Sequence, residues 1–400
     1  MPTWGVPVGE GQKRTRTSDM GFILDCPAMC ASSRPASAPD FLLSRAHGSI
    51  RTQGAKEQFN NIDDAIEALR RGEMVVGALA FRRDHACAFT VPENIIREDG
   101  PLEPHGYYRQ GPGAQLHASL DALVPDEAEH AHRVAAAIET MRSTVLRKVV
   151  LARAVDVRFD PPVDPRLIAA RLIDLSLHRD GFIVDLSPAG EDFVGNMLVG
   201  SSPEVLIKKQ GSTVSAYPLA GSAPRAVDPI EDKKRGEALL RSTKDLDEHR
   251  FVVDHLRRKL SPLCSDLNIP DTPELTCTNE MWHLATPVVG TLKDAQMTAL
   301  ELAQIVHPTP AICGTPTDDA EELISFAEAD RRFYAGAVGW AEGLDGEYMV
   351  AIRCAEVSGD GTRARAWAGG GIVEASDAQA EVAETSAKLR TIMKALGLSL

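Results

Sequence analysis

The sequence predicts an α+β fold built on antiparallel sheet, and three observations carry that expectation. Strand-like runs come in adjacent sets rather than in regular alternation with helices, so the βαβ rhythm of a doubly wound sheet is missing. Apolar runs meet through the turn dipeptides Gln210-Gly211 and Asp345-Gly346, which mark antiparallel hairpins. No segment recurs at a fixed period, which sets aside solenoids and propellers.

Taken in order, residues 1–38 are rich in Ser, Pro, Arg and Gly without a sustained period, and read as a loose N-terminal segment. Residues 39–400 read as one domain, with ordered chain beginning near Phe41-Leu-Leu-Ser-Arg45. The spacing predicts a short amphipathic helix over Asp63–Arg71 and a strand over Met74–Phe81. A helix rich in Ala and charge, Glu127–Leu146, leads into a strand, Lys148–Phe159, and a second helix follows over Pro165–Leu177. Three strand candidates come next: Gly181–Leu186, Phe193–Val199 and Glu204–Tyr217, the last folded at Gln210-Gly211. Pro229–Leu260 is a long helical stretch broken once. Late strands are expected over Tyr334–Ala341 and Tyr348–Val357, joined through Asp345-Gly346, and over Arg363–Ala368, ending at Gly369-Gly-Gly371. A helix from Ala378 to Leu396 closes the chain.

Composition narrows the function classes. With 44% hydrophobic and 25% charged residues, the 400-residue chain can bury a substantial core. A formal net charge of -14 argues against a nucleic-acid partner, whose phosphates select basic faces. No stretch approaches the length of uncharged apolar chain that a membrane helix needs, and the N-terminus lacks the apolar region of a signal peptide. Seven cysteines at irregular spacing do not describe a disulfide framework, so a reducing cytoplasm is expected. Cys26 and Cys30 have no second ligand pair with zinc spacing.

Several ionisable residues stand in contexts that surface decoration does not explain. Lys148 opens an apolar run beside Arg147, and burial next to a like charge favours the neutral amine that a general base needs. The plain alternative is a strand-end lysine reaching water. Glu204 follows the turn-like Gly200-Ser-Ser-Pro203 and is either a solvated turn residue or a buried proton donor. Glu381, Glu384 and Lys388 share one helical face. The two carboxylates suit Mg2+, which prefers oxygen ligands, while Glu384 and Lys388 also have the spacing of an ordinary helical ion pair. Glu248, on another helical segment, is a third carboxylate able to complete that site. His283, between Trp282 and Leu284, is a core histidine or a substrate contact. Gly369-Gly-Gly371 lacks the strand-to-helix setting of a dinucleotide fingerprint and is better placed to offer backbone N–H groups to a carboxylate.

Together these motifs resemble the chorismate-utilising enzymes, the family of anthranilate synthase large subunits, aminodeoxychorismate synthase, isochorismate synthase and salicylate synthase. The resemblance is strong over residues 130–396 and weaker over 40–130. It rests on Lys148-Val-Val-Leu-Ala-Arg153, Gly200-Ser-Ser-Pro-Glu204, Pro218-Leu-Ala-Gly-Ser222, Glu248-His249 and His283-Leu-Ala-Thr-Pro287. His307-Pro-Thr-Pro310, Phe333-Tyr-Ala-Gly336, Ala351-Ile-Arg353, Ala368-Gly-Gly-Gly-Ile372 and Glu381–Lys388 follow in the family's order.

The resemblance implies two packed antiparallel sheets with helices outside and the cleft between them. Within the family the chain is most similar to siderophore-type isochorismate synthases, which turn chorismate into isochorismate. Ala220 stands where aminodeoxychorismate synthases carry a nucleophilic lysine, so the nucleophile is implied to be water, or else ammonia supplied from elsewhere. Lys148 is implied as its base and Glu204 as the acid for the departing C4 hydroxyl. Mg2+ is implied at Glu248, Glu381 and Glu384. Substrate contacts are implied for Ala220, Gly221, Ser222, His283, Arg353, Gly370, Gly371 and Lys388. Lyase-active relatives are similar in carrying Tyr at the position matched to Phe333, so Phe333 and Ile352 point to a product that stops at isochorismate. The alternatives are a salicylate synthase, which goes on to eliminate pyruvate, and a catalytically silent chorismate-binding protein. Enzymes that consume isochorismate are the implied partners.

Overall fold

The computed structural model describes residues 40–103 and 116–398; the expected loose segment 1–38, with Cys26 and Cys30, lies outside them. The described chain opens with a hairpin of β1 (Phe41–Arg45) and β2 (Gly48–Phe59), closed in the register Arg45↔Gly48. Helix α1 (Ile62–Arg70) starts where the Asn61 side chain accepts the Asp64 N–H, and it buries Ala65, Ile66, Ala68 and Leu69. Strands β3 (Met74–Leu79), β4 (Ala88–Asp99) and β5 (Ala118–Val124) lead to α2 (Glu127–Ser143), capped by Asp126.

The spine comes next. Strand β6 (Lys148–Phe159) is followed by α3 (Pro165–Leu175), β7 (Gly181–Asp185), β8 (Met197–Gly200), β9 (Val205–Gln210), β10 (Thr213–Tyr217) and β11 (Leu219–Pro224). The long helical stretch breaks once, into α4 (Pro229–Leu239) and α5 (Thr243–Leu260), because Ser242 leaves helical geometry to cap the second with its hydroxyl. Then come β12 (Cys264–Asn268), β13 (Glu274–Cys277), β14 (Met281–Ala285), β15 (Val288–Leu292), α6 (Ala299–Val306), β16 (Gly314–Thr315) and α7 (Thr317–Ala327). Strands β17 (Ala337–Glu342), β18 (Asp345–Val350), β19 (Cys354–Val357) and β20 (Arg363–Val373) precede the closing helix α8 (Ala378–Ala395).

Among the described residues the strands form one seventeen-stranded sheet and a three-stranded sheet, β11-β14-β13, with antiparallel pairing. The α+β expectation therefore holds, with the two sheets very unequal in size. Strands β6 and β20 pair along their lengths, from Arg158↔Arg363 to Lys148↔Val373. The two halves of β6 feed two cores: Val149, Leu151, Ala152 and Ala154 join the larger one, Val155, Val157 and Phe159 the one under α3 and α8. Lys148 opens a stretch of the strand in which successive residues, and so both faces, are buried.

Several local expectations change; the strands expected from Phe193 and from Tyr334 begin only at Met197 and Ala337. The β17–β18 turn is at Gly343-Leu344, between Glu342 and Asp345, because Gly343 supplies the left-handed φ of 55° the turn needs; Asp345-Gly346 lies inside β18. The run Tyr348–Val357 is interrupted at Ala351-Ile-Arg353, where Arg353 itself takes a φ of 51°. Strand β20 continues through Gly369–Gly371 instead of ending there, since the absence of side chains lets the ladder pass beneath α5 and α8.

Candidate active site

Lys148 is fixed by two neighbours in the ladder, Thr315 of β16 and Val373 of β20. Its side chain is completely buried. Nζ stands 3.1 Å from Oε1 of Glu248 on α5, an ion pair whose angle is not that of a hydrogen bond, so Nζ has no hydrogen-bond acceptor. The reading of Lys148 as a strand-end lysine reaching water is thereby ruled out.

Glu204 is also buried, in the link between β8 and β9, where Ser202 Oγ accepts its N–H and its own carbonyl accepts from Val350. Burial pushes its carboxyl up to about 8, against the opposing pull of a backbone hydrogen bond at Leu219 and the charges of Lys148 and Lys388. It is therefore protonated at neutral pH.

Glu204 opens into a cleft shared with Ala220, Gly221 and Ser222 of β11, Glu248 of α5, His283 of β14, Arg353, Gly371 and Lys388. The three-stranded sheet thus supplies one wall, and the β6–β20 spine with Ala311 and Ile312 supplies the other. Burial holds His283 well below its ordinary value, with Arg353 and Lys388 adding to the effect, so its ring is neutral. The neutral ring bridges Ser222 Oγ (2.8 Å) and Arg353 Nη2 (3.5 Å). With Arg353 donating to Nε2, the proton of the ring belongs on Nδ1, facing Ser222. Lys388 donates to the Gly369 carbonyl (2.9 Å) and pairs with Glu384 (2.7 Å), so the ordinary helical ion pair forms as well as the cleft contact.

Gly370 and Gly371 separate. Gly371 faces the cleft, whereas a Cβ on Gly370 would point at Glu381 Oε2, 2.9 Å away. Gly369 lines the cleft in its place. Phe333 does not line the cleft: it is fully buried with its ring edge-on to Phe193, and Tyr334, stacked on Trp367 at 5.4 Å, faces the cleft beside Ile352. An inference about the product drawn from Phe333 therefore has no contact in this geometry to act through.

The three carboxylates expected to hold a metal lie in one electrostatic neighbourhood, since the charges of Glu248 and Glu384 both act on Glu381. Each has its own ammonium: Glu248 pairs with Lys148, Glu381 with Lys244 (2.9 Å) and Glu384 with Lys388. Burial pushes Glu248 up, but Lys148, Lys244 and Lys388 together outweigh it and hold the group below its ordinary value. Burial and then Glu384 push Glu381 up to about 7. Among the described residues, no three His, Cys, Asp or Glu side chains stand at ligand spacing. The residues nevertheless fit a hard cation. Oε2 of Glu381 is buried without a hydrogen-bond partner, and crowded carboxylates are the oxygen donors such an ion takes.

Sequence reasoning missed the work of His249. Burial lowers its imidazole to about 4, and the neutral ring joins the Ala220 carbonyl (3.1 Å) to Thr286 Oγ1 (2.7 Å), tying α5 to the wall that carries Ala220–Ser222. Its place beside Glu248 in the motif was the available signal. Lys244, one helical turn before Glu248, and Tyr334, beside Phe333, are two further site residues that only the structure brings in.

Comparison with known proteins agrees with this geometry. Residues 106–397 match the family described as chorismate binding enzyme. A Mycobacterium tuberculosis protein assigned as the isochorismate synthase MenF is 42% identical over 369 residues, 90% of this chain and 96% of that protein. The isochorismate synthase DhbC of Bacillus subtilis is 39% identical over 342 residues, 83% of this chain and 84% of that protein. The crystal structure of a Bacillus anthracis protein assigned as a 2,3-dihydroxybenzoate-specific isochorismate synthase, DhbC, superposes with a TM-score of 0.81 at 35% identity, covering 92% of this chain and 98% of that one. This chain belongs to the chorismate-binding enzyme family.

Proposed function

We propose that this protein is an isochorismate synthase, an isomerase that moves the hydroxyl of chorismate from C4 to C2. The observation that carries the reading is Glu204: a carboxylic acid kept protonated up to about pH 8 by burial, opening into the same cleft as Glu248, the ion-pair partner of Lys148. The names of the relatives support the same reaction.

Water attacks C2 and gives its proton to Nζ of Lys148, which has first passed to solvent the proton it carries in its pair with Glu248. The C4 hydroxyl leaves with the proton of Glu204, so no charged hydroxide is released into a buried cleft. The carbon skeleton and the atom count are unchanged, and both side chains return to their starting forms by exchange with solvent. Arg353, held by the neutral ring of His283, takes the enolpyruvyl carboxylate, and Lys388 with the backbone at Gly371 adds further donors. Ala220 offers no amine, so the nucleophile comes from outside the chain, and the proposed reaction takes it to be water. Glu248, Glu381 and Glu384 would hold Mg2+, which would supply positive charge against the ring carboxylate and the diene. Those three glutamates are the residues to which the reading assigns the metal.

The test is incubation of the purified protein with chorismate and Mg2+, with products separated by chromatography. Isochorismate without pyruvate is expected. Salicylate with stoichiometric pyruvate would move the assignment to a salicylate synthase, and unconsumed chorismate would leave a binding protein.

A further inference from the structure

Three ammonium groups and three carboxylates are paired where β6, α5 and α8 meet, and two of the lysines are anchored there. Lys148 is fully buried in the β6 ladder, and Lys388 is tied to the Gly369 carbonyl. Lys244 is different. It lies in the first turn of α5, four residues before Glu248, with a quarter of its side chain exposed. Its Nζ is 2.9 Å from Oε1 of Glu381 on α8 and 3.9 Å from Oδ1 of Asp245. Ser376 Oγ donates to the same Glu381 oxygen (2.8 Å), while Glu381 Oε2 has no partner. A lysine that reaches in from a partly exposed helix turn can swing its ammonium back to water without moving the backbone.

We propose that Lys244 is the internal counter-cation of this acidic site: its ammonium holds Glu381 when no divalent cation is present, and it withdraws when one binds. The proposal rests on the assignment of Glu248, Glu381 and Glu384 to Mg2+. Lysine and metal then compete for one carboxylate, so the apparent metal affinity is reduced by the fraction of molecules in which Lys244 is engaged. Lys244 acts as a positioning residue: it sets the occupancy of the site and touches no reacting atom.

The test uses Mg2+ alone, without chorismate, titrated calorimetrically into the wild-type protein, K244M and K244R, with thermal melts in the absence and presence of saturating Mg2+. K244M is expected to bind Mg2+ about tenfold more tightly. Its metal-free Tm should fall, and saturating Mg2+ should close the gap to wild type. K244R should keep the competing charge and follow the wild type. A folded K244M with unchanged or weaker Mg2+ affinity overturns the proposal, as does a Tm deficit that Mg2+ leaves in place. If K244M does not fold, K244Q decides by the same affinity measurement. Wild-type protein that binds no Mg2+ would withdraw the metal assignment together with this proposal, whereas binding that Lys244 does not modulate withdraws the proposal alone.

Discussion

A β-carbon on Gly371 would stand 2.0 Å from Oε1 of Glu248 and 3.0 Å from Cε of Lys148. The glycine is therefore what allows the amine of β6 and the carboxylate of α5 to meet across β20. Neither obstacle can easily retreat, because Lys148 is held in the ladder and Glu248 is held by Lys148. G371A should retain native circular dichroism and lose at least about a hundredfold in kcat, the scale of losing one positioned acid or base. Turnover near the wild-type rate would show that the pair plays no part in the chemistry.

Glu204→Gln keeps the size of the side chain and removes the transferable proton. Turnover should fall by about three orders of magnitude while Mg2+-dependent chorismate binding, followed by calorimetry, persists. Undiminished turnover would defeat the acid assignment.

The same group fixes a pH dependence. As the proposed proton donor Glu204 must be protonated, so kcat should decline as pH rises through about 8, and this limb should be missing from the residual activity of E204Q. Stability follows with a definite sign. The folded carboxyl is raised from 4.5 to about 8, so its contribution is complete below pH 4.5 and is lost progressively as pH rises to about 8. Denaturant titrations at pH 5 and pH 9 should therefore show E204Q losing less stability over that interval than wild type.

His283 acts through Arg353. In H283A the guanidinium loses its orienting acceptor, and KM for chorismate should rise about tenfold with kcat changed far less. A loss confined to kcat would place His283 in the proton transfers instead.

His249 is a neutral tie between Ala220 and Thr286. Removing it in H249A leaves a buried carbonyl and a buried hydroxyl unpaired, which costs about 1–3 kcal/mol each way of counting the lost partner. Urea titration should show that loss in ΔG of unfolding, and an unchanged midpoint would mean that water replaces the ring.

Much of the fold was legible because the interior is written in periodicity. The span of β6 was read to the residue, and α4 and α5 appeared as one helical stretch with one break, because apolar spacing and Ser/Asp caps are local properties. The turn at Gly343-Leu344 was misplaced by two residues because a neighbouring Asp-Gly carries an equally good turn signal, and only pairing with β3 and β9 fixes which dipeptide bends.

For the site, the sequence by itself determined which ionisable groups are out of place and the family they belong to: Lys148 in an apolar strand, Glu204 after a turn, Glu381 and Glu384 on one helical face. Only the tertiary structure decided how those groups are partnered. It matched Glu248 to Lys148 and Glu381 to Lys244, turned Gly370 towards Glu381 and Gly371 towards the cleft, and put Tyr334 rather than Phe333 against the cavity. The physical reason is range. Strand and helix periods act over a few neighbouring residues, whereas the Lys148–Glu248 and Lys244–Glu381 pairs join strands and helices a hundred or more positions apart in the chain, and nothing local records which of them will meet.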